Sequence, residues 1–344
     1  MIVRRGDKAG VITMTVLGDM KVLIVGAGVL GSFYAARLRE GGVDVTLLAR
    51  GRRLADLREH GVVLESALGG RRTVTRVPLT DRLGPDDEYD LAIVIVRRSQ
   101  IPPVLAMLAA NRRIPSVLFL GNNAGGTADL VAALGEPRVL TGFVIAGGER
   151  QGYVVRYIYS RWVAMKMGEL DGARTPRALA IAGLLRRAGL RVKLEAHMDA
   201  WLKTHAAGVV PIAGAIYLCG GDVRRLAHTP AALRLYVRSY REGLRALRRA
   251  GVPVVPAAAR PLAWIPEAVL VLGWRLFLDT NAAVIGAQGH AKAAPDEMKE
   301  LADELRAIMR RAGLACPASD ILFAEIDKQS ALAAGPPPPA ARIA

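Results

Sequence analysis

The sequence predicts an α/β chain in which an N-terminal doubly wound parallel sheet is followed by an all-helical C-terminal domain. Three observations carry this. Apolar, β-branched runs alternate with helical segments as far as residue 194, the pattern of a parallel sheet covered on both faces. A glycine-rich turn joins the first run to the first helical segment. After Glu195 no strand pattern returns, and segments of helical period are punctuated by Pro and Gly.

Residues 21–25 are a short apolar run bounded by turn signals, hence a strand, and residues 32–40 the helix that follows, ended by Gly41 and Gly42. A second strand is expected over 43–49, a short helix over 54–60, and a small strand pair at 62–65 and 73–77. Residues 91–96 are continuously apolar, as a strand buried on both faces must be. A helix (101–111), a strand (116–120), a Gly- and Asn-rich loop (121–126) and a helix (127–134) come next. Strands at 139–144, 153–157 and 162–165, a helix at 176–188 and a strand at 190–194 close the series. The chain therefore divides into residues 20–194, the sheet domain, and residues 195–330, the helical domain. Residues 1–19 read as a disordered extension and residues 331–344, with four consecutive prolines, as a disordered tail.

A chain of 344 residues with 47 Lys and Arg against 31 Asp and Glu carries a net charge of +16, which raises the question of a polyanionic partner. Its arginines are scattered over helix faces such as Arg234, Arg238, Arg241 and Arg245, so the charge reads as solvated surface and not as a nucleic-acid site. The apolar stretches are interrupted before they reach the ~20 residues of a membrane span. Cys219 and Cys316 stand far apart without metal-ligand spacing, which argues against a disulfide framework or a metal and for a reducing, cytoplasmic setting.

Gly26-Ala27-Gly28-Val29-Leu30-Gly31 lies between the first strand and the first helix. There the first glycine permits the turn, the second lets the backbone approach a pyrophosphate, and the third lets helix pack on strand. The phosphates would meet the N–H groups of the helix start, at Val29 and Leu30. This is the dinucleotide-binding turn of a Rossmann domain. The second strand ends not in Asp or Glu but in Arg50, with Arg52 and Arg53 beyond. A guanidinium there suits the 2′-phosphate of NADP, whereas Arg52 and Arg53 also read as a solvated helix start. Asn122 and Arg97 follow strands at the carboxyl edge of the sheet, where open α/β folds bind ligands. Lys203, near the start of the apolar helix after residue 195, is a candidate proton donor to the alkoxide that hydride transfer creates.

The run KVLIVGAGVLGSFYAARLREGG from Lys21, Ala-Arg-Gly at 49–51, LFLGNN at 118–123, WLK at 201–203 and RAGLACP at 311–317 together resemble the ketopantoate reductase family, the 2-dehydropantoate 2-reductases. The resemblance implies NADPH-dependent reduction of a 2-oxo acid, Lys203 as general acid, Glu297 assisting it, Asn122 and Arg50 at the cofactor, and a homodimer. It also marks departures. Arg97 stands where a lysine is usual, and Ala207 and Pro211 replace the asparagines expected one and two turns after Lys203, which puts the substrate in question. A non-catalytic NADP(H)-binding sensor is the alternative. His205 and His290 read as ordinary core or surface histidines, His205 lying two residues beyond Lys203 and so on a different helix face.

Overall fold

The computed structural model describes residues 20–334, apart from positions 161, 290, 292 and 293. The sheet half runs β1 (Lys21–Val25), α1 (Val29–Glu40), β2 (Asp44–Leu48), α2 (Gly51–His60), β3 (Val62–Ser66), β4 (Arg72–Thr75), β5 (Leu79–Thr80), β6 (Leu91–Val94) and α3 (Ile101–Ala110). It continues β7 (Ser116–Leu120), α4 (Ala128–Leu134), β8 (Val139–Phe143), β9 (Ala146–Gln151), β10 (Val154–Tyr159), β11 (Met165–Glu169), α5 (Pro176–Arg187) and β12 (Val192–Leu194). The helical half comprises α6 (Met198–Leu218), α7 (Val223–Ala227), α8 (Pro230–Arg249), α9 (Glu267–Leu278), α10 (Pro295–Arg311) and α11 (Pro317–Ala334), with a π-helical turn at Val284–Gln288.

Eight strands form the main sheet in the order β12-β11-β8-β7-β6-β1-β2-β5. Every neighbouring pair is parallel except β8 with β11. Strand β1 is central, and its side chains alternate between two cores. Val22 and Ile24 face one of them with Phe33, Tyr34 and Leu38 of α1, and Leu23 and Val25 face the other with Leu105 and Leu108 of α3. Burial on both faces is why β1, β6 and β7 read as unbroken apolar runs. The strand order reverses at β1, between β2 and β6, which opens a crevice at the carboxyl edge.

The predicted strand pair belongs to a second sheet, β4-β3-β10-β9, which lies over α1 and packs Tyr157 and Tyr159, both tilted, against Phe33 at ring distances of 5.0 and 5.6 Å. Strand β9, sequence AGGERQ, was not expected, because it has no β-branched residue. Its extended form comes from antiparallel pairing with β10. Residues 162–164 lie outside any strand, and the expected strand there is displaced to β11.

In the helical half, α6 is nearly enclosed. Val210, Ala213 and Ile216 pack among Tyr236 and Leu244 of α8 and Leu322 and Phe323 of α11. Glu242, buried on α8, accepts hydrogen bonds from the backbone N–H groups of Ala318 and Ser319 at 3.2 and 2.8 Å, which caps α11 and ties the two helices together. Helix α11 continues through residues 331–334, which the sequence placed in the tail, because Ala-Leu-Ala-Ala favours helix up to Gly335. The extension 1–19 and the prolines of 335–344 lie outside the described residues. Among the described residues no helix is long and apolar enough to cross a membrane, and no cluster of His, Cys, Asp and Glu is arranged to hold a metal ion.

Candidate active site

Between Val25, the end of β1, and Val29, the start of α1, the chain reverses through a turn that only glycine fits at two places. Gly26 has φ +110°, and a Cβ there would lie 2.3 Å from the Ile95 carbonyl oxygen. At Gly31 a Cβ would lie 1.7 Å from the Gly26 carbonyl oxygen, so the first turn of α1 rests directly on the loop. Gly28, the residue before the helix, has nothing within 4 Å of a Cβ position. No side chain caps α1 and its first turn has no acidic residue, so the N–H groups at Val29 and Leu30 remain available to an anion.

Arg53 departs most from the sequence reading. It is 9% exposed and packs under the turn: Nε donates to the Ala27 carbonyl at 3.1 Å, Nη2 to Ser32 Oγ at 2.9 Å and Nη1 to the Tyr153 carbonyl at 3.3 Å. Burial, with Arg150 nearby, lowers its pKa from the ordinary arginine value. The signal was present in the helix period, since Arg53 lies four residues before buried Leu57 and shares its face. Arg52, by contrast, is exposed, as a solvated helix start should be. Arg50, at the end of β2, is also exposed and is steadied by the Asp81 carbonyl at 3.1 Å.

These groups line one side of a cleft of about 1260 Å³, together with Arg97, Asn122, Phe143, His205, Glu297 and the π-helical turn. The donor set fits a dinucleotide. An uncapped helix start suits bridging phosphates, Arg50 stands where a carboxylate would otherwise bind an adenosine ribose, and Asn122 lies along the sheet edge beyond the turn.

The structure brings Asn122 and Glu297 together, with the amide Nδ2 donating to Oε1 at 2.7 Å. Helix α10 thus meets the sheet edge through its first turns. Arg97 pairs with Asp296 at 3.4 Å, Arg98 with Glu304 at 3.2 Å, and the other Glu304 oxygen accepts from the Ala124 and Gly125 N–H groups at 2.7 and 2.9 Å. Glu304 gave no sign of this in the sequence, because its partners come from loops 180 positions away.

Helix α6 carries the candidate donor. The Lys203 ammonium is held by Asp199 Oδ2 at 2.5 Å, one turn earlier on the helix, and lies 4.0 Å from the Cβ position of Gly126 in the loop that bears Asn122. Ala207 is buried against Gly243 of α8, and Pro211 is likewise in the interior. The stripe that faces the cleft is His205, Val209, Ile212 and Ala213. Two residues of α-helix turn the side chain through about 200°, so the 203, 207, 211 row and the 205, 209, 213 row lie on nearly opposite faces. His205 shares an aromatic cluster with Phe143, tilted at 52° with ring centroids 4.2 Å apart, and with Trp201, nearly parallel at 6° and 5.3 Å. His290 lies outside the described residues.

Residues 22–172 match the family model described as Ketopantoate reductase PanE/ApbA. Over those residues the chain is similar to the ketopantoate reductase family. Relatives include an uncharacterized oxidoreductase of Bacillus subtilis (strain 168), 28% identical over 243 residues that cover 69% of this chain and 78% of that protein. Another is a 2-dehydropantoate 2-reductase of Archaeoglobus fulgidus, 28% identical over 211 residues that cover 60% of this chain and 68% of that one. Among solved structures, D-mandelate dehydrogenase with NADH and anilino(oxo)acetate shares the fold, with TM-score 0.73 at 16% identity over 90% of this chain and 98% of that chain.

Proposed function

We propose that this chain is an NADPH-dependent reductase of 2-oxo acids, acting on ketopantoate or a more apolar relative. The observation that carries the reading is the single cleft that joins the glycine turn and Arg50 to the Asn122–Glu297 pair. When bound, the reduced nicotinamide supplies the hydride. Arg50 holds the 2′-phosphate by charge-assisted hydrogen bonds, with no carboxylate nearby on its strand end to prefer a free ribose hydroxyl. Glu297 orients the Asn122 amide, which positions the carbonyl group beside the cofactor face. Arg97, at the same edge, offers positive charge to a substrate carboxylate, although Asp296 shares it. A small 2-oxo acid is the partner, in one protomer or in a homodimer.

Arg50→Glu is expected to raise the KM for NADPH about 100-fold while changing that for NADH less than threefold, as the loss of a charge-assisted pair worth about 2–3 kcal/mol requires. Equal effects on the two cofactors would remove Arg50 from the 2′-phosphate. The wall formed by Val209, Ile212, Ala213 and Met298 offers the substrate no side-chain hydrogen bond. Across a panel of 2-oxo acids followed by NADPH oxidation, branched or aromatic substituents are therefore expected to have kcat/KM at least tenfold above hydroxylated ones of equal size, by the cost of leaving a buried hydroxyl unpaired. Tight NADPH binding with no turnover across the panel would leave the non-catalytic sensor instead.

A further inference from the structure

We propose that Glu304 is a positioning residue of the site, whose carboxylate fixes the loop 121–126 so that Asn122 stands at a set distance from both Glu297 and Lys203; this rests on the 2-oxo acid reductase reading. Three observations lead to it. One oxygen of Glu304 accepts from two successive backbone N–H groups of the loop, Ala124 at 2.7 Å and Gly125 at 2.9 Å, while the other pairs with Arg98 Nε at 3.2 Å. Glu297 and Glu304 are seven residues apart on α10, two helical turns, and so share a face, and Glu297 holds the Asn122 amide at 2.7 Å. The far end of the same loop reaches α6. Gly126 has φ +92°, Asn123 closes the loop on its N–H and carbonyl at 2.9 and 2.7 Å, and a Cβ at Gly126 would lie 3.8 Å from Asp199 Oδ1 and 4.0 Å from Lys203 Nζ. Between these contacts Ala124 is fully buried in the core of the helical half, the one residue of the sheet half in that core among the described residues.

The loop needs such a tie. With glycine at three of its six positions it has wide conformational freedom of its own, and the single Asn122–Glu297 bond would let it swing about that point. Two N–H bonds to one ionised carboxylate are charge-assisted and fix the loop against the face of α10 that carries Glu297. In the reductase reading the keto carbon must lie against the nicotinamide while its oxygen meets the donor, and a displacement of about 1 Å at such a centre costs on the order of 100-fold in rate. Glu304 touches none of the reacting groups and acts through the loop alone. Its two N–H bonds, and not its pair with Arg98, carry the effect, because Arg98 does not touch residues 122–126 and is also held by Asp129 at 2.9 Å.

The test uses the full chain with NADPH and the 2-oxo acid panel. Glu304→Ala is expected to lower kcat by about 30-fold or more, with the NADPH dissociation constant within about threefold of wild type. That variant is also expected to show a clear primary isotope effect with NADPH deuterated at the transferred position, since hydride transfer becomes its slow step. Glu304→Gln, whose carbonyl oxygen can still accept both N–H groups but whose amide cannot pair with Arg98, is expected to keep kcat within about fivefold of wild type. Gly125→Ala disturbs the same contact from the loop side, because its Cβ would lie 2.8 Å from Glu304 Oε1 and the carboxylate must give way. It is expected to lower kcat about tenfold or more. Turnover of Glu304→Ala within threefold of wild type overturns the proposal, as does an isotope effect near unity in that variant. Glu304→Gln as slow as Glu304→Ala overturns it too, by assigning the effect to the Arg98 pair. A wild type inert toward every 2-oxo acid overturns the reductase reading. In that event Glu304 is judged by calorimetric titration of oxamate into the NADP⁺ complex. Affinity about tenfold weaker in Glu304→Ala than in wild type and Glu304→Gln keeps it as the residue that sets the loop, and unchanged or undetectable wild-type binding removes it.

Discussion

Gly31→Ala is expected to abolish measurable NADPH binding, weakening it at least 100-fold, and to lower stability by about 3 kcal/mol, the upper range for forcing extra volume into a packed site. The added Cβ would stand 1.7 Å from the Gly26 carbonyl oxygen, so the loop and the helix must separate. Gly26 has nowhere to go. Its own Cβ position is already 2.3 Å from the Ile95 carbonyl, and the Ile95 N–H donates to the Val25 carbonyl at 2.9 Å, which holds β6 against β1. Strain introduced at Gly31 therefore passes into the central strand pair. Gly28→Ala is the control, because nothing lies within 4 Å of the new methyl and the fold is undisturbed. It projects where the pyrophosphate approaches, and NADPH affinity is expected to fall about tenfold with an unchanged urea midpoint. Fluorescence titration of NADPH and urea denaturation separate the two cases. A Gly31→Ala protein that binds NADPH like wild type would show that α1 does not rest on the loop.

Arg53→Ala should cost about 3–4 kcal/mol in urea denaturation and weaken NADPH about 30-fold. The guanidinium makes three hydrogen bonds, to Ala27, Ser32 and Tyr153, and its removal leaves the Ala27 carbonyl and the fully buried Ser32 hydroxyl with only their bond to each other at 3.3 Å; hydrogen bonds to a charged group are worth about 1.5–3 kcal/mol each. One side chain thereby joins the glycine loop, the first turn of α1 and the segment before β10. Arg53→Lys is not expected to rescue it, since one ammonium on a flexible stem does not reproduce a planar fork aimed at three acceptors. If Arg53→Ala were as stable as wild type, the residue would be a surface arginine, as its neighbour Arg52 is.

Much of this site is legible before any coordinates. The glycine turn, the end of β2 at Arg50 and the loop at Asn122 are local features, each set by strand, turn and helix chemistry within a few residues. What escaped reading depended on partners distant in the chain. Strand β9 has a sequence without strand character and is extended because β10 lies beside it. Arg53 looked like one more surface charge on a basic helix until β10 and the loop closed over it. Glu304 looked like an ordinary helical acid, and the loop at the sheet edge gave it its hydrogen bonds.

Helix α6 draws the line most clearly. The sequence by itself determined that an apolar helix follows the sheet, that it carries Lys203 and His205, and that these two point in different directions, because 3.6 residues per turn is a property of the backbone alone. Which of the two faces the cofactor cleft is a matter of how the whole helix is rotated against its neighbours. Only the packing of α8 and α11 around α6 decided it, burying Ala207 and Pro211 and turning His205, Val209 and Ala213 toward the glycine turn. Helix period is local and short in range, whereas helix orientation is set by the apolar surfaces of the entire domain competing for burial.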